Sequence, residues 1–178
     1  DSWTKMIILN RNVSSDYYET HACISFNGKF LYFTSDRPGG QGGLDIWVSE
    51  TTAEGDWGEP ENLGPKVNSN YNEETPFLNG GGKKLYFSSQ GHATMGGFDF
   101  FVAEKLPSMR VTADENEMPG GKSSSPPIDA GWSFPKNLGY PLSTSDDDLF
   151  YNPRKSGMGA YYSTIIDSIS PIRSIYAL

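Results

Sequence analysis

The chain has 178 residues, with 20 Gly, 12 Pro and 13% aromatic residues but only 20% charged ones. That length fits one ordinary domain or a piece of a larger one, and the composition suits short strands and tight turns while excluding a long-helix or coiled-coil protein. A formal charge of −8 argues against duplex nucleic acid and anionic membrane surfaces, which both select a basic face.

The sequence opens Asp1-Ser2-Trp3, with no initiator Met and no signal peptide. This is the expectation for a mature or trimmed product, or for a fragment. Cys23-Ile24-Ser25-Phe26 reads as a strand, and Asn27-Gly28 after it as a two-residue hairpin turn. From Lys29 to Ser35, Phe30, Tyr32 and Thr34 alternate with Leu31, Phe33 and Ser35. Both sets are largely apolar or aromatic, which predicts a strand packed on both faces. Gly39-Gly40-Gln41-Gly42-Gly43 is a wide turn, Leu44 to Val48 a third strand, and Trp57 with Asn62-Leu63 a short fourth.

The pattern then recurs. Residues 3–50 lie over 57–104 with an offset of 54, no gap, and 17 identities in 48 positions. The copy repeats the strands at Phe77-Leu78, Leu85–Ser89 and Phe98–Val102. A weaker third copy maps 57–103 onto 132–178, anchored by Trp-x-x-Pro-x-Asn-Leu-Gly at Trp57 and Trp132. Between the second and third copies, residues 105–131 are rich in Ser, Pro and Gly and have no period. They read as a flexible loop inserted between two strands and as a first guess for a partner contact.

Four short antiparallel strands in a unit of this length predict an all-β fold, a β-propeller of four-stranded blades. About three blades are present, as one partial ring, for example half of a six-bladed one. A stack of hairpins in a β-solenoid usually has shorter repeats.

Tyr32 to Gly40 with Gly42 to Glu50 resembles the TolB-type, WD-like propeller repeat. The Trp-x-x-Pro-x-Asn-Leu-Gly lead-in is similar to copies in OmpA-like envelope proteins. That resemblance implies a non-catalytic protein-binding scaffold in the periplasm, associated with the outer membrane, in secretion or gliding machinery. It implies envelope protein partners, and peptidoglycan only through a separate domain. There are departures: Gln90-Gly91-His92 replaces Asp36-Arg37-Pro38, and the third copy has no glycine pair and puts Ser174 where Asp45 and Asp99 stand.

Glu19, Glu73 and Asp148 share one repeat position. Their carboxylates could ring a common mouth and hold a hard cation, or each could accept backbone N–H groups at its own strand start. The second reading is the expectation, so no metal is assigned. Tyr17 and Tyr71, beside the acids, could line the same mouth. Asp45 and Asp99 follow glycine pairs and suit turn-holding acceptors. Asp36-Arg37 reads as a turn-stabilising pair, with Arg37 also able to face a partner. Gly120-Gly121-Lys122-Ser123 lacks the first glycine of a phosphate loop. Two histidines, His21 and His92, and the lone Cys23 offer too few ligands for an ordinary zinc site. No cofactor and no reaction are expected. A hydrolase propeller (oligopeptidase or glycosidase), or a glycan or small-ligand sensor, is the alternative. No apolar run approaches the ~18 residues of a membrane-spanning helix.

Overall fold

A computed structural model describes residues 5–79, 81–107, 131–154, 159–164 and 174–177. Among these residues the fold is all-β and every sheet is antiparallel. The strands are β1 Glu19–Ile24, β2 Phe30–Ser35, β3 Asp45–Glu50, β4 Glu61–Asn62, β5 Glu73–Leu78, β6 Lys84–Ser89, β7 Asp99–Glu104, β8 Lys136–Asn137, β9 Leu149–Pro153, β10 Ala160–Thr164 and β11 Ser174–Ala177. They form three separate sheets in the orders β1-β2-β3-β4, β5-β6-β7-β8 and β9-β10-β11. No helix among the described residues is long and apolar enough to cross a membrane.

The two-faced reading of residues 30–35 has a direct counterpart. All of β2 from Leu31 to Ser35 is buried, so both side-chain sets face protein. Tyr32, Ile46 and Val48 from the first sheet pack with Leu78, Leu85, Phe87 and Phe101 from the second. On the other side of the first sheet, Leu31, Phe33 and Trp47 gather around Val13 and Trp57. The first sheet is thus one layer with a core on either side, and its middle strands supply both.

Two predicted local features differ from what forms. Asn27-Gly28 is not a two-residue turn. The chain turns over Ser25–Gly28, where Gly28 donates to Ser25 O at 2.8 Å and takes φ +72°. Ser25 then pairs with Phe30, leaving a four-residue loop. Asn27 prefers this because its Oδ1 accepts from Ser25 Oγ and the Lys29 amide. The second sheet repeats the plan, with Gly82 donating to Asn79 O and Asn79 Oδ1 accepting from Lys83 and Lys84. The other difference is length. β1 begins at Glu19 rather than near Cys23, because a bulge at His21-Ala22 breaks the alternation that marks a strand.

The insert predicted at 105–131 leaves the β7–β8 connection. Lys105 forms a β-bridge with Trp132 and Leu106 donates to Gly131 O at 2.7 Å, so both flanks continue the ladder. The stretch from 108 to 130 lies outside the described residues.

The glycine pairs dock one sheet on the next. Gly43 donates to Tyr71 O at 2.9 Å, Leu44 to Asn72 Oδ1 at 2.9 Å, and Glu73 back to Leu44 O at 2.7 Å. In the next junction Phe98 donates to Asp147 Oδ1 at 3.0 Å and Asp148 to Phe98 O at 2.6 Å. A Cβ on Gly42 would overlap the backbone oxygens of Ser69 and Tyr71, and one on Gly96 the backbone of Ser145. Side chains are therefore excluded where the two sheets meet through backbone. Gly42→Ala is expected to cost about 2–3 kcal/mol in denaturant unfolding, the range of forced overpacking. Gly81→Ala, whose Cβ meets nothing closer than 3.9 Å, is expected to stay within about 0.5 kcal/mol of the parent. Equal effects would show that the close approach is not what the pair serves.

Candidate functional site

The three repeated acids each close their own entry turn. Glu73 accepts from the Ser69 amide at 2.8 Å, from Ser69 Oγ at 2.6 Å and from Ser89 Oγ at 2.6 Å. Glu19 accepts from the Ser15 amide at 3.1 Å, from Ser15 Oγ, from Ser35 Oγ at 3.3 Å and from Arg37 at 3.1 Å. Asp148 accepts from the Thr144 amide at 2.6 Å. Each hydroxyl also receives the amide two residues on: Tyr17 to Ser15, Tyr71 to Ser69 and Asp146 to Thr144. One Ser/Thr-x-x-x-Glu/Asp turn thus forms three times, and Glu73 and Asp148 are fully buried in it. Among the described residues no group of three or more His, Cys, Asp or Glu side chains could hold a metal ion.

These turns present the tyrosines. Tyr17 is 52% exposed and Tyr71 is 62% exposed, at the same end of their sheets. Their backbones are fixed by the acid-locked turns, so two phenol rings stand on rigid supports in solvent.

Behind the acids, unlike residues fill one role. The Arg37 guanidinium lies 4.8 Å from the Phe33 ring centre and 5.6 Å from that of Trp47, and donates to the carbonyls of Asn12 and Val13. Arg37 is half-buried, its side chain only 10% exposed and held by Asn12, Val13 and Glu19. In the second sheet His92 lies against Phe87 and Phe101 and its Nε2 meets Val67 O at 2.8 Å. Both side chains cover the equivalent ring pair and hold the equivalent entry carbonyl, although His92 aligns with Pro38.

A second constellation lies two residues past the acids. In each sheet the first strand has one extra residue: His21-Ala22 opposite Phe33, Thr75-Pro76 opposite Phe87 and Phe150-Tyr151 opposite Tyr162. The first residue of each bulge is left-handed, at φ 42° for His21, 52° for Thr75 and 64° for Phe150. Thr and Phe seldom adopt such angles, which cost about 1–3 kcal/mol each. The three bulges converge. They line a cleft of about 210 Å³ with Phe77 and Asn152. His21 stacks edge-on to Phe150 at 5.2 Å, and its Nδ1 lies 3.5 Å from Glu74. The cleft offers an imidazole, aromatic faces and an amide, a set able to hold a small polar molecule but with no nucleophile positioned in it. Nothing in residue type links His21, Thr75 and Phe150, so sequence reasoning missed them. The one available signal was their shared repeat position, two residues after the aligned acids.

The other candidates settle into structure. Asp45 accepts from the amides of Gln41 and Gly42 and from Asn62 Nδ2 at 3.0 Å, and Asp99 repeats this with Met95 and Asn137. Burial pushes the Cys23 thiol up to about 11, so it is protonated at neutral pH and a poor nucleophile. At the opposite end of the strands an open groove of about 740 Å³ runs between the two hairpin loops, lined by Phe26, Lys83 and Lys105. The insert departs from that end, away from Tyr17 and Tyr71.

No protein-family model matches the chain, and no curated protein matches it.

Burial raises the Glu73 carboxyl above its ordinary range, against the opposing pull of Ser69, Ser89 and His92. Burial likewise raises Asp45 and Asp148. A carboxyl raised on folding favours the protonated native state, so its contribution is fullest below the unfolded pKa. That contribution is lost as pH rises through the folded value. Thermal midpoints are expected to fall as pH rises from the acidic range toward neutrality, and Glu73→Gln is expected to flatten that slope. An unchanged slope in Glu73→Gln would remove Glu73 from the account.

Proposed function

We propose that this chain is a propeller module of about three blades that serves as a non-catalytic protein-binding scaffold in the bacterial cell envelope, periplasmic and associated with the outer membrane. The supporting observation is the pair Tyr17 and Tyr71, both exposed and both held on equivalent acid-locked turns. Rigid exposed aromatics on loops over a stiff scaffold are what protein recognition favours, because large contact area is gained with little ordering cost. The location and the envelope partners follow from the repeat resemblance.

A second reading, a sensor of a small ligand or glycan fragment, is favoured by the cleft between the three bulges. Strained residues gather where a protein holds a constellation in place. At about 210 Å³ the cleft falls below the ~300 Å³ at which drug-sized sites begin. It suits a ligand of a few heavy atoms. A hydrolase reading has less support, since Glu19 and Glu73 spend their oxygens on donors of the fold itself.

The test places a photo-crosslinking side chain at Tyr17 or Tyr71 and, separately, at Phe26 on the opposite end, in cells whose envelope is then fractionated. The scaffold reading expects one discrete protein adduct from positions 17 and 71 and none from 26. It expects Tyr17→Ser with Tyr71→Ser to weaken the purified pair by about 2 kcal/mol or more with no change in melting. Adducts from Phe26 alone, or none from either tyrosine, would overturn it.

A further inference from the structure

Beside the cleft between the three bulges stands an acid that the repeat does not explain. Glu74 lies on β5 directly before the bulged Thr75-Pro76 and pairs with Ser88. The offsets of 54 and 75 put Thr20 and Leu149 at its position in the other two sheets, so it is not one of the turn-closing acids. Its side chain is only 16% exposed. The neighbouring Glu73 receives hydroxyl donors from Ser69 and Ser89. Among the described residues the one ionic partner of Glu74 is His21, whose Nδ1 lies 3.5 Å from Oε2 and makes no hydrogen bond. A carboxylate so far out of water is costly without donors or an opposite charge.

The walls beside it are aromatic. Phe77, Phe150 and Tyr151 line the cleft together with His21, and no described Lys or Arg does. Phe150 is 48% exposed, although its φ of 64° is unfavourable for so bulky a residue. Burial in a core does not account for a ring held there under strain. Its plane meets that of His21 at 74°, so the two rings make adjoining walls. Thr75 spends its hydroxyl on Ser88 at 3.1 Å. The cleft therefore joins aromatic faces to one poorly solvated negative charge.

That combination selects a ligand class. Aromatic faces attract a cation through their quadrupole, and a carboxylate in a low-dielectric setting adds a full opposite charge. A hard metal ion needs several oxygen ligands, which one carboxylate among rings does not supply. We propose that this cleft binds a small organic ammonium ion, with Glu74 as its counter-charge and Phe77, Phe150 and Tyr151 as its aromatic walls. The assignment rests on the reading of the cleft as a small-ligand site and names the class of that ligand. It is independent of Tyr17 and Tyr71. A volume of about 210 Å³ suits an ammonium head group with a short chain.

The test titrates the natural chain with choline, with the neutral alcohol in which carbon replaces the charged nitrogen, and with acetate. Ring-proton shifts of Phe77, Phe150 and Tyr151 read the site. Choline is expected to saturate them with a Kd of ~1 mM or tighter, within reach of so small a ligand. The neutral alcohol is expected to bind at least ~10-fold more weakly, and acetate not at all. Glu74→Gln is expected to weaken choline at least ~10-fold with unchanged circular dichroism. Phe150→Leu, which keeps an apolar wall but removes the ring, is expected to weaken choline and leave the alcohol unchanged. Binding of Nα-acetyl-lysine amide alongside choline would make a protein's lysine side chain a source of the ammonium; binding of choline alone would make it a free molecule. Equal binding of choline and the neutral alcohol, or choline binding untouched by Glu74→Gln, would overturn the ammonium assignment while leaving a small-ligand cleft. No shift with any probe would overturn both.

Discussion

Everything in this fold hangs on how the chain enters each sheet. In the second sheet the acid that ends the entry turn is fully buried, and a buried carboxylate is costly unless its oxygens are met by donors. The Glu73 carboxylate accepts from one backbone amide, that of Ser69, from the Ser69 hydroxyl and, across the sheet, from the Ser89 hydroxyl. The same oxygen that closes the turn therefore ties the first strand to the second. The preceding sheet then presses its glycine pair onto the outside of that turn, with Gly43 bonded to Tyr71 O and Leu44 to Glu73 N. One short segment thus satisfies its own backbone, its own sheet and its neighbour.

That arrangement explains why strain can persist two residues further on. A bulge with His21, Thr75 or Phe150 in left-handed geometry would relax if the strand start were free to slide. It cannot slide, because the acid fixes its register at Glu19↔Ser35 and Glu73↔Ser89. Three constrained side chains are thereby turned to one cleft, while Tyr17 and Tyr71 are turned outward on the other side of the same acids. Support and presentation come from one device used three times.

Much of this was legible in the sequence. The two-faced alternation of residues 30–35 gave the buried middle strand, and the offset of 54 gave the second sheet and the alignment of the acids. The glycine pairs could be seen, but the neighbour that forbids a side chain there lies in another repeat and could not. The bulges were hidden because φ at His21, Thr75 and Phe150 is set by register, and register leaves no common residue type. Arg37 and His92 were hidden by a one-residue offset: the gapless alignment sets Arg37 over Gly91, while the ring pair it covers is covered by His92. The Asn27-Gly28 turn was misread because the pair alone does not say which residue leads the turn. The Asn27 side-chain bonds place it third and Gly28 last.

The most direct measurement is amide hydrogen exchange resolved to single residues in the natural chain. If each entry turn is gripped from both sides, the amides of Ser69, Glu73 and Leu44 will exchange as slowly as those of the central strands β2 and β6, although they lie in turns or at strand ends. The amides of Thr144 and Asp148 will behave in the same way. Exchange at these amides as fast as in exposed turns would contradict the account, because the acids would then decorate the entry turns without holding them.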